Sequence, residues 1–599
     1  MTSYETLYKG SEDIFMPKYA PSGYNSEISS LGLATDPRTA TQLNELNIKM
    51  NPGSRHMEVG ALGQEVMDSI PKQHFEEMRR LAKNTGVSLS FHAPIIEASG
   101  VGQRGGWEEV NRIGAERQIE STLKRAHDLD PKGNVNVTVH SSAQLPEMIT
   151  RLKEDGKERT TGMLIINPET GKVHQIEYEK RYFPKEGETT GEFTGKERFF
   201  NPEEELAKIN KETWTAQLSD INRNLSNGQD VLDRVRKQYP IPEDTYKEIA
   251  KGKDFDSLKE IDKDVFKDIQ RNVIHGQIYL KDAYTNLQKV FDRAYQTADG
   301  ENKRKLKKYA EEISPLIKKE VEQDPQILAQ VVEKGVRVLN DLEETPKLWK
   351  KMNDFVVEQS AKTYGNAATN TWKEFHETAP VLTIENPPAG SGLSRAEDLK
   401  KLIEESRKVV VENLKKEGVS KSEAEKTAAN LISATWDVGH INMIRKMGFS
   451  EKDVIREAEI IAPFVKHVHL SDNFGLEHTE LPMGMGNVPL KEVMKKLGEK
   501  GFEGKKIIEA GNWWQHFAEK GGGNPFKPSI EGMNSPLYST APTNYWSTPP
   551  GFGAYYSGQG AINPAVHHKL YGAGFENLPM ELGGEIPGER GRFSGAPNQ

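Results

Sequence analysis

The chain of 599 residues contains no cysteine. This absence excludes disulfides, thiolate metal ligands and cysteine nucleophiles. Any metal must therefore be held by histidines and carboxylates. That ligand chemistry favours Zn²⁺, with Mn²⁺, Co²⁺, Fe²⁺ and Mg²⁺ as alternatives.

Long apolar runs are also missing, and the mean hydropathy is −0.70. No stretch has the length and apolarity of a membrane span. The N-terminal MTSYETLYKGSEDIF lacks the basic segment and apolar run of a signal peptide. We therefore expect a cytoplasmic protein with no membrane partner. The net charge of −9 gives no general attraction for nucleic-acid phosphate.

Three common catalytic motifs are absent from the sequence. It contains no P-loop, no dinucleotide-binding fingerprint after a strand and no serine nucleophile elbow. These absences disfavour nucleotide-driven, dinucleotide-dependent and serine-hydrolase chemistry.

Short apolar runs alternate with helical patterns in two parts of the chain, residues 30–150 and 379–520. This alternation is typical of βα units around a parallel sheet. The predicted strands are HMEVGAL, VSLSFHAP, NVNVTVHSS, VLTIENPP, LISATWDVGH, FVKHVHLSDNF and KKIIEAGNW. We therefore predict an α/β fold, a (β/α)₈ TIM barrel built from these two parts.

The remaining segments differ in their sequence patterns and composition. Residues 1–29 form an N-terminal extension, and residues 151–200 predict a β-hairpin insertion around an Asn-Pro-Glu-Thr-Gly turn. Residues 201–378 have apolar residues at helical spacing and predict a large helical insertion. The tail of residues 521–599 holds 15 Gly, 10 Pro and ten aromatic residues, which indicates extended structure.

Many predicted strands end on a residue that can bind a divalent metal. Such positions face the active site of a parallel barrel, whereas its core normally takes Val, Ile and Leu. One His or Asp at a strand end is more often structural, but a set on consecutive strands predicts a metal site. We expect Glu385 and Glu509 to be catalytic, and His467 to face away from His469 and be structural. The predicted ligands, including two from the loop after His469, are His92, His140, Glu385, Asp437, His440, His469, His478, Glu480 and Glu509.

The spacing of these residues predicts where the barrel is interrupted. The steps from Glu385 to Asp437, to His469 and to Glu509 are 52, 32 and 40 residues, each about one βα unit with some elaboration. The step from His140 to Glu385 is 245 residues, far too long for one unit. The hairpin and helical insertion must therefore follow the His140 strand.

The motifs FHAP, VTVH, IENPPAGSG, DVGH, HLSD and IIEAG resemble those of the xylose isomerase-like barrels. This superfamily includes endonuclease IV (AP endonuclease family 2) and sugar isomerases and epimerases, and the resemblance covers roughly residues 45–150 and 380–515. It implies a central metal site made of Glu385, Asp437, His469 and Glu509. It also implies a second ion, bridged by Glu385 and completed by His92 and His140, and a third at His440, beside His478 and Glu480.

Three features depart from the endonuclease IV pattern. His478-Thr-Glu480 stands where the nuclease has Asp-x-His, and Ile95-Ile96 stand where it has an aromatic residue and Leu. The run HLSDNFG followed by ELPMGMGNVPL is more similar to the sugar isomerase branch. The resemblance therefore specifies the barrel and its metal more closely than the substrate.

Two chemistries fit this pattern. We expect an endonuclease IV-like hydrolase that cleaves a nucleic-acid phosphodiester with metal-activated water, because the extra histidines are redundant in a one-metal isomerase. The alternative is a single-metal sugar isomerase or epimerase, in which Glu385 and Glu509 move a proton and Trp513-Trp514 could stack on the sugar. A second alternative is a scaffold or assembly protein that retains a metal barrel and binds a protein partner through its helical insertion and tail.

Overall fold

The computed structural model describes residues 22, 24, 26, 30–50, 54–102, 105–142, 145–177, 201–252, 262–317, 324–343, 345–509, 529 and 533. Most of the predicted N-terminal extension and residues 178–200 of the predicted hairpin insertion lie outside these residues. So do Trp513, Trp514 and the predicted tail, apart from Ser529 and Met533.

Eight parallel strands close into a barrel, in the order β1, β2, β3, β4, β9, β10, β11, β12 and back to β1. The predicted (β/α)₈ fold is therefore confirmed. Strand β1 was not predicted, because its four residues, Leu-Gly-Leu-Ala, are too few to show a pattern. The strands of the described residues are β1 Leu31–Ala34, β2 His56–Gly60, β3 Ser88–His92, β4 Asn136–His140, β5 Ile149–Glu154, β6 Lys157–Ile166, β7 Val173–Glu177, β8 Lys350–Lys351, β9 Val381–Glu385, β10 Ile432–Asp437, β11 Val465–Leu470 and β12 Lys505–Ile508.

The α-helices of the described residues are α1 Gln42–Lys49, α2 Gln64–Ser69, α3 Lys72–Thr85, α4 Glu109–His127, α5 Pro202–Gln238, α6 Glu243–Ala250, α7 Lys263–Thr297, α8 Gly300–Ile313, α9 Pro325–Asn340, α10 Met352–Phe375, α11 Ala396–Lys416, α12 Lys421–Leu431, α13 Val438–Asn442, α14 Glu451–Ile461 and α15 Leu490–Glu499. Helix α3 illustrates how the sequence determines where a helix packs and where it ends. It buries Phe75, Met78 and Ala82 at helical spacing and ends at Gly86, whose φ of 69° is left-handed. None of these helices is both long and apolar enough to cross a bilayer.

The barrel interior contains an unusual number of polar side chains. Thr138 on β4 lies 3.1 Å from Thr435 on β10, and Thr435 donates to Thr383 on β9 at 2.8 Å. Strands β4 and β10 are not neighbours in the sheet, so their contact runs across the interior. All three threonines are fully buried. A layer of hydrogen-bonding groups therefore lies where barrels normally pack Val, Ile and Leu.

A second, antiparallel sheet follows β4. Strands β6 and β7 flank the predicted Asn-Pro-Glu-Thr-Gly turn and are neighbours in this sheet. Strand β5 was not predicted, because half of the residues in its run ITRLKE are charged. Strand β5 begins two residues before the predicted boundary at 151 and pairs with β6 through a tight turn at Asp155-Gly156, both with positive φ.

The chain divides into two compact units. The barrel unit comprises Met1–Leu164, Thr170–Glu179 and Met352–Gln599, and the helical unit comprises Ile165–Glu169 and Lys180–Lys351. Helix α10 fell within the predicted helical insertion but lies in the barrel unit. Its Tyr364 hydroxyl donates to the carbonyl of His140 at 2.7 Å, and its Thr363 hydroxyl donates to that of Ala98 at 2.8 Å. Helical periodicity alone could not distinguish a barrel helix from an inserted one.

The helical unit is organised around two long helices, α5 and α7, which approach closely at a pair of glycines. A Cβ atom on Gly228 would lie 3.0 Å from the carbonyl oxygen of Gly276, and one on Gly276 would lie 3.2 Å from that of Gly228. The core around this crossing is apolar and includes Trp214, Ile269 and Leu280. Asn201 and Asp262 cap the N-termini of the two helices with their side chains.

Candidate metal centre

Glu385 ends strand β9 and is the residue on which the site converges. It is fully buried, and three histidine ring nitrogens approach its carboxylate. His469 Nδ1 lies 2.8 Å from Oε1, while the Nε2 atoms of His92 and His140 lie 3.2 and 3.3 Å from Oε2. Burial raises the pKa of Glu385, but His469 and His140 outweigh it and hold the pKa well below its usual range.

Asp437 ends the neighbouring strand β10 and is equally buried. Its Oδ1 accepts hydrogen bonds from the backbone N–H of His440 at 2.6 Å and from the Ser471 hydroxyl at 3.1 Å. The first bond makes Asp437 the N-cap of the short helix α13. Burial, together with the charges of Glu509 and Glu385, raises the pKa of Asp437 well above its usual range.

His469 and Glu509 complete a group of four. His469 lies near the end of β11, and its Nδ1 is 3.4 Å from Oε2 of Glu509, the residue that follows β12. Glu509 is half-buried, with a side chain 21% exposed, whereas the other three members are fully buried. Burial raises the pKa of Glu509, but His469 outweighs it and lowers the pKa to about 2.

These four residues fit a divalent metal ion. One ligand atom from each of Glu385, Asp437, His469 and Glu509 lies within 4.8 Å of the others. Three carboxylates and one imidazole are hard and borderline donors that suit Zn²⁺, Mn²⁺, Co²⁺ or Mg²⁺. Besides burial, repulsion from Glu509 and Glu385 raises the pKa of Asp437, and a bound cation would relieve this repulsion.

A second cluster lies at His440, His478 and Glu480. His440 Nδ1 donates to the carbonyl of Asn386 at 2.7 Å, which leaves its Nε2 facing His478 Nε2 at 2.8 Å. His478 Nε2 is 3.2 Å from Glu480 Oε1. Glu480 has a φ of 43°, a left-handed conformation that is costly for a residue with a Cβ atom.

A buried carboxylate organises the loop that carries this second cluster. Asp472 accepts backbone N–H bonds from Asn473, Gly484, Gly486 and Val488, at 2.9 to 3.1 Å. The Gly-rich run ELPMGMGNVPL is therefore wrapped around one side chain, and a Cβ atom on Gly486 would clash with the backbone of Asn473.

All nine residues predicted as ligands meet at this end of the barrel. They fall into overlapping groups whose ligand atoms lie within 4.8 Å of one another: His92, His140 and Glu385; His92, His469 and Glu509; His440, His478 and Glu480; and the central four. Their role as ligands stays a prediction, but their convergence gives it a geometric basis.

Glu58 was not predicted as a site residue, and the predicted direction of His467 was wrong. His467 was expected to face away from His469, but residues two apart on a strand share a face. Both histidines are buried in the barrel interior, and both contact Glu58 on β2. The available signal was an acidic residue in the middle of the apolar strand HMEVG.

The comparisons with known proteins agree with this architecture. Residues 391–525 match the family described as the xylose isomerase-like TIM barrel. This match confirms the predicted resemblance to that superfamily, and its segment contains Asp437, His469 and Glu509.

Other similarities are short or distant. An uncharacterized protein of Methanocaldococcus jannaschii, MJ1311, is 32% identical over 81 residues, which are 14% of this chain and only about a quarter (26%) of that relative's length. D-psicose 3-epimerase from Clostridium cellulolyticum H10, solved with D-tagatose, is 8% identical, with a TM-score of 0.34 over 84% of this chain and 96% of the other. The 3-keto-D-glucoside 4-epimerase YcjR from E. coli is 10% identical, with a TM-score of 0.33 over 82% and 96%. Because these TM-scores are low, the assignment of the barrel fold depends on the strand order of this chain alone.

Proposed function

We propose that this chain is a divalent-metal-dependent isomerase or epimerase that acts on a sugar. The observation that carries the proposal is the convergence of two carboxylates, Glu385 and Glu509, on one ring nitrogen of His469, at 2.8 and 3.4 Å. A four-residue group on adjacent strand ends is sufficient for a single ion. The match of residues 391–525 to the xylose isomerase-like barrels supports the same chemistry.

The ion would be held by Glu385, Asp437, His469 and Glu509. When bound, it would supply Lewis-acid polarisation of a carbonyl and an adjacent hydroxyl oxygen. Zn²⁺ stays the predicted ion, with Mn²⁺, Co²⁺, Fe²⁺ and Mg²⁺ as alternatives.

The carboxylates of the chain would move the proton. Isomerisation or epimerisation removes a proton from the carbon beside a carbonyl and returns it elsewhere, which needs a base and then its conjugate acid. Glu385 and Glu509 are the two carboxylates that converge on His469, and each has an oxygen at which it would accept a proton. His92 and His140 hold the Glu385 carboxylate through their Nε2 atoms, at 3.2 and 3.3 Å from Oε2.

Phosphodiester hydrolysis is the second candidate, and the two flanking histidine-rich groups favour it. A one-ion isomerase does not need the group of His440, His478 and Glu480, nor a second group that uses His92 and His140. If these groups also held ions, two or three cations would surround one phosphate, as the resemblance to endonuclease IV implies. A scaffold role that retains the barrel stays a prediction.

Hydrogen exchange on candidate sugars separates the two functions. The metal-free full chain is reloaded with Zn²⁺, Mn²⁺ or Co²⁺ and incubated in D₂O with a panel of ketoses and aldoses. We expect NMR to show deuterium at the carbon beside the carbonyl of at least one sugar, about one bound ion per chain, and loss of exchange in Glu509→Gln. The exposed loop variant Glu477→Gln is the matched control and should keep activity. Absence of exchange with every sugar, together with metal-dependent cleavage of an abasic-site duplex and two or three ions per chain, would reject the isomerase and support the hydrolase.

A further inference from the structure

A buried carboxylate lies directly beneath the candidate metal centre. Glu58, in the middle of strand β2, is 1% exposed. Its partners come from β3 and β11, and β11 is not a neighbour of β2 in the sheet, so Glu58 reaches across the barrel interior. A charge buried at this depth is costly unless it is paired.

The two oxygens of Glu58 have different surroundings. Oε2 accepts a hydrogen bond from the Ser90 hydroxyl at 2.8 Å and lies 2.8 Å from His467 Nε2. These contacts fix the carboxylate and direct Oε1 at His469, whose Nε2 is 2.9 Å away. Both facing atoms are buried, they lie 2.9 Å apart, and neither makes a hydrogen bond of good geometry among the described residues.

His469 therefore has a carboxylate oxygen at each of its ring nitrogens. Nδ1 faces Glu385 at 2.8 Å, and Nε2 faces Glu58 at 2.9 Å. A neutral imidazole carries one N–H and one lone pair, and only the nitrogen with the lone pair can bind a metal ion. Nδ1 is the atom directed at the carboxylates of the central group, so it must offer the lone pair. The proton then belongs on Nε2, the ring nitrogen that faces Glu58 Oε1.

We propose that Glu58 is a positioning residue that holds His469 with its proton on Nε2 and its Nδ1 lone pair directed at the metal, and so strengthens divalent-metal binding. The proposal rests on the metal dependence of the proposed function but not on its substrate. A carboxylate behind a metal-ligating histidine orients the ring and raises its basicity, and loss of such a partner weakens metal binding by about 10–100-fold. Ser90 and His467 act on the carboxylate from its other oxygen and fix its direction.

The test is the Zn²⁺ affinity of the metal-free full chain, measured by competition with a chromogenic chelator, beside its thermal unfolding midpoint. Glu58→Gln keeps the shape of the side chain but removes its charge. We expect affinity to fall by about 10–100-fold with the number of bound ions unchanged. Thr138→Val is the matched control, because it removes a buried polar group of the barrel interior that contacts neither Glu58 nor His469 among its described hydrogen bonds, and it should leave affinity unchanged.

Ser90→Ala keeps the proposal testable if Glu58→Gln does not fold. It removes one hydrogen bond to Oε2 and should weaken Zn²⁺ binding less than Glu58→Gln does. An unchanged affinity in both variants would overturn the proposal, as would equal losses in Glu58→Gln and Thr138→Val. Loss of one whole ion in His467→Gln would also overturn it, because Glu58, His467 and His469 would then themselves hold a metal.

These outcomes are separate from those of the proposed function. A wild-type chain that binds no Zn²⁺ contradicts both proposals. A wild-type chain that binds Zn²⁺ but exchanges hydrogen in no sugar contradicts the isomerase alone, and the affinity comparison still tests Glu58.

Discussion

The interior of the barrel and the core of the helical unit are equally buried but differ in composition. The barrel interior holds Glu58, Thr383 and His467, all at most 1% exposed, whereas the core of the helical unit is built of residues such as Ile269 and Leu280. Burying polar groups costs free energy unless their hydrogen bonds are made, while apolar burial contributes about 25 cal/mol per Å². The difference indicates that the barrel interior supports a site and that the helical core serves stability. Substitutions in the two regions should therefore have different consequences.

The largest effect is expected at the point where the site converges. Glu385→Gln removes a buried charge that lies against three histidines and would bind the proposed ion, so we expect a rate loss of about 10²–10⁴-fold under either candidate chemistry. The measurement is the initial rate at saturating metal, with Glu405→Gln on the exterior of α11 as the control. A Glu385→Gln variant with activity within tenfold of wild type would remove the central carboxylate from the mechanism.

The convergence of the candidate ligands could be predicted from the sequence to a large extent, because it depends on residues at strand ends. Glu385, Asp437 and Glu509 each follow a run of apolar residues, and a parallel barrel brings such positions together regardless of the loops between them. Glu58 could not be assigned in this way, because it lies inside a strand and its role depends on a partner some 400 residues away. Helix α10 was assigned to the insertion and strand β5 was missed for a similar reason, since their local patterns do not reveal what they pack against.

The second-largest effect is expected in the core of the helical unit, where a substitution should change stability but not metal binding. Leu280 is fully buried in the core of the helical unit, against Gly228. Leu280→Ala should lower the free energy of unfolding of this unit by about 2–5 kcal/mol, because it leaves a cavity. Thermal unfolding followed by circular dichroism measures the loss, and Zn²⁺ titration of the same sample should match wild type. A parallel loss of metal affinity would contradict the division of roles between the two regions.

A substitution at the glycine crossing of α5 and α7 should have a smaller effect on the free energy of unfolding than Leu280→Ala. Gly276→Ala would place a Cβ atom 2.9 Å from Leu232 and 3.2 Å from the carbonyl oxygen of Gly228. Overpacking of this kind should cost about 1–3 kcal/mol of unfolding free energy. Gly114→Ala on α4 is the matched control, since the new Cβ atom would meet no neighbouring atom within 4 Å and the substitution should stabilise by about 0.5–1 kcal/mol. The same sign for both variants would show that the crossing is not tight.

The smallest effect belongs to a partly exposed ion pair, away from both buried regions. Lys153 Nζ lies 2.6 Å from Asp453 Oδ1. Burial raises the pKa of Asp453, but Lys153 and Ser450 outweigh it and lower the pKa below its usual range. Because the folded pKa is depressed, the pair stabilises the fold above the unfolded pKa of about 3.9, and this contribution is lost as the pH falls through the folded pKa.

Lys153→Met should therefore lower the free energy of unfolding by about 0.5–1 kcal/mol between pH 5 and 8. The difference from wild type should shrink below about pH 4. Urea unfolding across this pH range measures it, with the exposed neighbour Lys452→Met as the control. A difference that grows toward low pH would show that the lysine acts through something other than the Asp453 charge.

The most direct test of the metal centre is the metal content of the full chain, purified without chelator and analysed by mass spectrometry. At least one divalent ion per chain is expected in the wild type and in Leu280→Ala, and Asp437→Asn should lose the central ion. A wild-type chain that holds no ion at saturating Zn²⁺ or Mn²⁺, or an Asp437→Asn variant with the wild-type metal content, would contradict the assignment of Glu385, Asp437, His469 and Glu509 as a metal site.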